Sequence, residues 1–588
     1  MNTSLTLAAL RKKMEAEGMA AVIIPSADPH QSEYMASHWQ ARHWITGFTG
    51  SAGTAVVTRD HALLWTDFRY WIQARAQMDA FELFKQGDPS VPEFDEWLAQ
   101  TLSPGDCIAL DGQMVSAAQA RKLKARFEEK DMGLDTTLDM ISPLWTDRPP
   151  MPSTRAFVLD SAYAGQSRKE KLELIIENIT DHGANVHLMT ALDDIAWTFN
   201  LRGADVHTNP VNLAFALIAE GRVQLFINPA KLDSESLNAL KSDNILVSPY
   251  ESIGQSLTDL DKADRVLLNP ETVNDSLFSA INPLCKIIEK PNPATGLKCI
   301  KNRVEIGHIR DTAVKDGRAV VNFLHWLENT DEVVTEISGA QKLLGFRKEQ
   351  EDFVNVSFDS IMAFKDHSAM CHYSATPKTD SRLTKDAMFL SDSGGNYLTG
   401  TTDITRTLHL GQAKPQEIQD YTLVLKGHIA VATSRFPSGT RGYQIDTLAR
   451  QFLWAQGMDF GHGTGHGVGF FLCVHEGPAR ISPHPVDEAL KPGMLLTNEP
   501  GLYREGEYGI RLENMVLVAE DEKNQFGRFL RFENLTLCHF ERDLMDKDLL
   551  TDAEICWVNA YHQRVYEKLS PQLTPEVNEW LREKTCAL

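Results

Sequence analysis

The chain has 588 residues, 43% of them hydrophobic and 23% charged, with a formal net charge of −22. That length exceeds what one hydrophobic core ordinarily serves, so several domains are expected. The excess negative charge excludes nucleic acid and anionic membrane as principal partners, because both would be repelled.

The N-terminal stretch MNTSLTLAALRKKMEAEGMAAVII places its apolar residues ahead of its basic ones. This is the reverse of a signal peptide and reads as the first amphipathic helix of a domain. The sequence has no run of about 20 apolar residues, so no membrane span is expected. Eight cysteines are scattered without a C-x-x-C pair, the pattern of free thiols in a reducing cytoplasm. Cys371 and Cys473 read as buried spectators.

Two proline-rich stretches, DRPPMP (147–152) and EKPNPATG (289–296), read as joints. Domains are therefore expected over 1–150 and 151–296, with the chemistry in the remainder. AVVT-RDH-ALLWTD in the first segment and AFALIAE-GR-VQLFIN in the second both read as hairpins. The two segments are either a duplicated α/β domain or two unrelated ones. Further on, VEIGHIRDTAVKDGRAVVNFLHWLEN carries Ile306, Ile309, Ala313, Val320, Leu324 and Leu327 at helical intervals. Near the C-terminus, Thr551 and Glu554 form a capping box. Ile555, Val558, Val565 and Leu569 make one stripe of that helix, and Pro571 lies just past its end.

The chemistry-bearing residues lie between these helices. In MFLSDSGGNYLTGTTDITRTLHL (388–410), Asp392 and Asp403 bracket a Gly-rich turn between strand-like flanks. A hairpin would bring the two carboxylates to neighbouring positions, where they repel unless a cation joins them. Two solvated turn aspartates are the competing reading. In FGHGTGHGVG (460–469), five glycines flank His462 and His466. On an extended strand both rings would face one site, over a backbone bare enough for a ligand to approach. The stretch lacks both H-E-x-x-H and G-x-G-x-x-G. LLTNEPGLY places Glu499 after an apolar strand, and GIRLENMVLV places Glu513 within one. A buried Glu513 needs a partner, which is either Arg511 two residues earlier or a metal. Together Asp392, Asp403, His466, Glu499 and Glu513 make a ligand set suited first to manganese, with cobalt, iron and zinc as alternatives. Four carboxylates are too many for one catalytic ion with open positions. They suit two ions that share bridging carboxylates and a bridging water of lowered pKa.

SDSGGNYLTGTTDITRT, HGTGHGVG followed by VHEGP, then NEPG and IRLEN resemble, in order, the signature of the aminopeptidase P family of pita-bread metallopeptidases. The likeness runs from ITGFTGSAGTAVV through AWTFNLRGADVHTNP to LTDAEICWVNAYH, and so over nearly the whole chain, as in the long three-domain cytosolic form. It implies a multidomain α/β and α+β fold. Two creatinase-like α/β domains (1–150 and 151–296) would precede a pita-bread catalytic domain (297–526) and a C-terminal helical extension (527–588). The resemblance implies that Asp392 binds one metal, that His466 and Glu499 bind the other, and that Asp403 and Glu513 bridge. It makes Glu499 the general base. His475 would donate to the scissile carbonyl, His372 would line the pocket at the scissile bond, and His462 would shape the proline pocket. The implied reaction is release of the first residue from peptides with proline second, in a cytoplasmic homodimer. One departure is Asn498, where the family pattern has an acidic residue. Prolidase, which takes only dipeptides, is the nearest alternative; an inactive peptide-binding module of the same fold is another. His308, His325 and His428 receive no role.

Overall fold

The computed structural model describes residues 3–588, so Met1 and Asn2 lie outside the described residues. It divides into two compact units. One comprises the chain to Ser161 plus Gln166–Thr295, the other Ala162–Gly165 plus Gly296–Leu588.

The first unit opens with helix α1 (Thr3–Glu17) and holds two six-stranded sheets. The first sheet contains β1 (Ala21–Pro25), β2 (Thr54–Thr58), β3 (Ala62–Thr66), β4 (Glu82–Lys85), β5 (Cys107–Ala109) and β6 (Gly133–Asp135), in the order β4-β3-β2-β1-β5-β6. The second contains β7 (Val186–Met189), β8 (Ala214–Ala219), β9 (Arg222–Ile227), β10 (Ile245–Ser248), β11 (Arg265–Leu268) and β12 (Lys286–Glu289), in the order β10-β9-β8-β7-β11-β12. Orientations match as well as order. β1 is antiparallel to β2 and parallel to β5, just as β7 is antiparallel to β8 and parallel to β11. The two hairpins read from sequence are β2–β3 and β8–β9. The shared topology favours duplication over two unrelated domains. Because side chains alternate along a strand, Val22 and Ile24 enter one core of the first sheet while Ala21 and Ile23 enter the other, so both faces are covered.

The long helix of the second unit is α2 (Arg303–Asn329), capped by a reciprocal Asn302–Glu305 box. Val320, Leu324 and Leu327 of its apolar stripe enter a core shared with the strands that follow. Strands β13 (Ile361–Phe364), β14 (Ala387–Ser393) and β15 (Ile404–Leu410) form an antiparallel sheet with β14 in the middle. Helix α3 (Pro415–Ala432), strand β16 (Arg435–Pro437) and helix α4 (Gly442–Trp454) follow. Next come β17 (Gly465–Gly467), β18 (Glu476–Ile481), β19 (Leu495–Asn498), β20 (Gly501–Arg504), β21 (Tyr508–Arg511), β22 (Asn514–Asn524) and β23 (Gly527–Asn534). The large sheet of this unit has six strands in the order β16-β23-β22-β19-β17-β18, while β20 and β21 pair separately. The chain ends in α5 (Asp552–Leu569) and α6 (Pro575–Lys584). The expected Thr551–Glu554 capping box starts α5, and Val558, Val565 and Leu569 are buried on it. Among the described residues no helix is long and apolar enough to cross a membrane, and all eight cysteines are free, with Cys371 and Cys473 buried.

Two local expectations are corrected. Glu513 lies between strands and not within one, because the chain leaves the β20–β21 hairpin at Arg511 and joins the large sheet at Asn514. His462 lies outside β17, which is only three residues long, so strand alternation does not relate it to His466.

Candidate active site

The ends and joints of these strands bring the five predicted ligands together. In the hairpin, Asp392 of β14 pairs with Thr405 of β15, and Asp403 stands two residues before Thr405. The two aspartates are therefore diagonal neighbours on one face, and both are buried. His466 is carried by β17, which pairs through Gly467 with β19, and Glu499 directly follows β19. Ligand atoms of Asp403, His466 and Glu513 all lie within 4.8 Å of one another. His466 Nε2 is 3.5 Å from Asp403 Oδ2 and 3.4 Å from Glu499 Oε1.

Hydrogen bonds fix the members of this group. His466 Nδ1 is 2.9 Å from the carbonyl of Gly467, which leaves Nε2 facing the carboxylates. The Thr497 hydroxyl donates to Glu499 (3.0 Å) and accepts the His466 backbone N–H (3.1 Å). Thr405 donates to Glu513 (2.8 Å), whose backbone N–H returns to the Thr405 carbonyl (3.1 Å). The glycines beside His466 serve the sheet and not ligand access. A Cβ at Gly465 would overlap the Thr497 carbonyl oxygen, and one at Gly467 the Glu476 carbonyl oxygen.

Arg511 does not pair with Glu513. Its guanidinium binds Asp392 and donates to the Tyr503 hydroxyl (2.7 Å) and to the Thr405 hydroxyl (3.2 Å). The Tyr503 hydroxyl is also 2.7 Å from His462 Nε2, so His462 reaches the site through Tyr503 and Arg511. His475 is half-buried, with its ring centroid 4.3 Å from that of His466 in an edge-on arrangement. His372 is half-buried on an irregular loop, between buried Cys371 and Tyr373. The Tyr373 hydroxyl donates to Glu336 (2.8 Å), which anchors that loop. Thr405, Thr497 and Tyr503 escaped the sequence reading. Tyr503 had a signal, standing four residues after Glu499 in the same apolar stretch. Asn498 faces away from the cluster, with its amide on the His428 carbonyl of α3 (2.9 Å). Its neighbours Thr497 and Glu499 face the site, as strand alternation requires.

The electrostatics are those of a site that would hold a cation. Burial pushes the Asp392 carboxyl up to about 6, against the pull of Arg511 and with the repulsion of Asp403. Burial and the neighbouring acids push Glu499 up and Glu513 well up. For His466, burial favours the neutral ring, but the hydrogen bond it donates to Asp403 and the charge of Glu499 outweigh this and raise the imidazole to about 9. Buried acids this close repel one another, and a divalent cation among them would relieve that repulsion. Two buried oxygens, Asp392 Oδ1 and Glu513 Oε1, have no hydrogen-bond partner. Buried carboxylate oxygens are rarely left unpaired, and hard divalent ions take such ligands, so the residues present fit a metal.

A strand-borne cluster of acids and an imidazole in an α+β unit, preceded by two like α/β domains, is the architecture of a metallopeptidase. A model of metallopeptidase family M24 matches residues 307–520, and that of its C-terminal region matches 528–588. Models of the creatinase/prolidase N-terminal domain match 7–141 and 147–305. The chain is 39% identical to the "Probable Xaa-Pro aminopeptidase P" of Coprinopsis cinerea, over 100% of this chain and 99% of that protein. It is 37% identical to the Xaa-Pro aminopeptidase 1 of Dictyostelium discoideum, over 98% of this chain and 95% of that protein. The crystal structure of an X-prolyl aminopeptidase from Caenorhabditis elegans, described as a cytosolic enzyme with a di-nuclear active site, superposes with a TM-score of 0.96 at 34% identity, covering 100% of both chains. The chain belongs to the aminopeptidase P branch of metallopeptidase family M24.

Proposed function

We propose that the protein is a two-metal aminopeptidase that removes the first residue from peptides whose second residue is proline. The observation that carries this reading is the meeting of Asp403, His466 and Glu513, whose ligand atoms lie within 4.8 Å of one another, with the buried Asp392 carboxylate, one oxygen unpartnered, close enough to repel Asp403 and Glu513. Full-length similarity to Xaa-Pro aminopeptidases supports the substrate class. In this reading Asp392, Asp403, His466, Glu499 and Glu513 would hold the ions, Asp392 one of them, His466 and Glu499 the other, with Asp403 and Glu513 shared. When bound, two divalent cations supply water activation and carbonyl polarisation.

The chain's own groups do the rest. Glu499 rests one carboxylate oxygen on Thr497 and takes the proton from the attacking water with the other. His475, edge-on to His466, donates to the oxyanion that develops on the scissile carbonyl. His372 and His462 line the substrate pocket. A bond before proline is a tertiary amide with no N–H and a fixed ring. A site that works on the carbonyl and the free amino group needs no donor there.

Manganese is the metal, a homodimer the assembly and the cytoplasm the compartment in this proposal. It also divides the chain at about residues 150, 296 and 526, limits that domain-wise expression would check. The central test is chelation. EDTA abolishes cleavage of a proline-second peptide longer than two residues, and Mn²⁺ restores it. Full activity after exhaustive chelation overturns the proposal, and cleavage of dipeptides alone converts it to prolidase. Metal analysis and light scattering of the purified protein check the ion and the dimer.

A further inference from the structure

We propose that Arg406 is a positioning residue through which the C-terminal region holds the metal-ligand cluster in shape. This rests on the two-metal reading of the site. Arg406 lies on β15, three residues after Asp403, and its side chain is 2% exposed. Its guanidinium reaches six oxygens, one on the neighbouring Thr405 and five from three other parts of the chain. Nη1 donates to the carbonyls of Thr405 (2.9 Å) and Glu513 (2.6 Å). The two N–H groups of Nη2 are shared among Asn514 Oδ1 (2.8 Å), the Cys538 carbonyl (2.7 Å) and the Tyr561 hydroxyl (3.1 Å). Nε donates to the carbonyl of His539 (2.9 Å). The guanidinium carbon sits 4.3 Å from the centroid of the Phe540 ring.

None of the six acceptors is a carboxylate. A buried charge kept without a counter-ion is costly, so its retention calls for a reason beyond stability. The shape of the group supplies one, because only guanidinium offers five N–H donors in a planar fork. Two of its acceptors are the backbone of the ligand segments. Glu513 has left the strand ladder, and its peptide is held by its N–H on the Thr405 carbonyl and by its carbonyl on Arg406. Three other acceptors, Cys538, His539 and Tyr561, belong to the chain beyond β23. Tyr561 on α5 also donates to the Cys538 carbonyl (2.9 Å). A continuous series of bonds therefore runs from α5 through Arg406 to Glu513, whose carboxylate shares its Thr405 partner with Arg511. The C-terminal region thereby acts as an outer support of the metal centre, and such supports tune affinity.

The test uses full-length Arg406→Lys and Tyr561→Phe, stripped of metal and titrated with Mn²⁺ by calorimetry, with circular dichroism as the check on folding. Arg406→Lys keeps the charge and loses the fork, and the expected Mn²⁺ affinity falls at least about tenfold. Tyr561→Phe removes one hydroxyl on α5 and lowers affinity by about three- to tenfold. Folded variants that melt earlier yet bind Mn²⁺ as the wild type does would overturn the inference. If Arg406→Lys fails to fold, Tyr561→Phe decides alone. Absence of Mn²⁺ uptake by the wild type would instead refute the two-metal reading.

Discussion

Glu513→Gln should stabilise the metal-free protein while weakening its response to metal. Glu513 is 1% exposed, and one of its oxygens has no hydrogen-bond partner. Burial and the charges of Asp403, Glu499 and Asp392 push its carboxyl well above the usual range, and Arg511 offsets this only in part. An unsatisfied buried polar group costs about 1–3 kcal/mol, more when charged. Glutamine keeps an acceptor for Thr405 and replaces the repelled oxygen with a donor for the neighbouring acids. The expected gain in the metal-free form is about 1–2 kcal/mol, which is about 2–4 °C or somewhat less for a unit this large. A carboxyl whose folded pKa is raised costs stability above its unfolded value and not below it, so the gain is present at pH 8 and fades in acid. Metal reverses the ranking. Mn²⁺ at about 100 times its Kd stabilises the wild type by about 2.7 kcal/mol, and the variant should recover only a fraction of that. Scanning calorimetry of chelated and Mn²⁺-loaded samples at pH 8 and pH 5 measures all of this. A metal-free variant that melts below the wild type, with equal Mn²⁺ gains in both, would refute the cation-site electrostatics.

Glu499→Gln should lower kcat by about 10²–10⁴-fold with the fold intact, as read by steady-state kinetics and circular dichroism, and near-normal turnover would remove Glu499 as the base. Gly465→Ala forces a Cβ onto the Thr497 carbonyl and displaces the strand that carries His466. It should cost at least about 2 kcal/mol in a denaturant melt and abolish Mn²⁺ uptake. His562 is fully buried, and burial with the nearby charges of Arg406 and Arg542 lowers its imidazole to about 3. Its unfolded form takes a proton below about pH 6.5, so this part of the stability is present at pH 8 and lost as pH falls towards 3. At pH 5 the loss is about 2 kcal/mol, and His562→Gln should flatten the Tm-against-pH curve between pH 7 and 5; an unchanged slope would sink this assignment.

Elements whose cause lies within about ten residues were legible in the sequence. The α5 capping box, the α2 stripe and the β2–β3 and β8–β9 hairpins are written in local spacing, which caps and side-chain periods read directly. The five candidate ligands were legible because each stands in a short motif of unusual composition. Choice of partner was not. Arg511 and Glu513 share a face by spacing, yet Arg511 takes Asp392, 119 residues away, and Glu513 takes Thr405, 108 residues away. The glycines around His466 suggested room for a ligand, but the carbonyls of β18 and β19 occupy the space their side chains would need. Arg406 looked like one residue of a strand and turned out to join three separated segments. Periodicity and caps are set by neighbours along the chain, whereas a buried charge takes whichever oxygens the packed strands bring within reach, and only tertiary structure decides which those are.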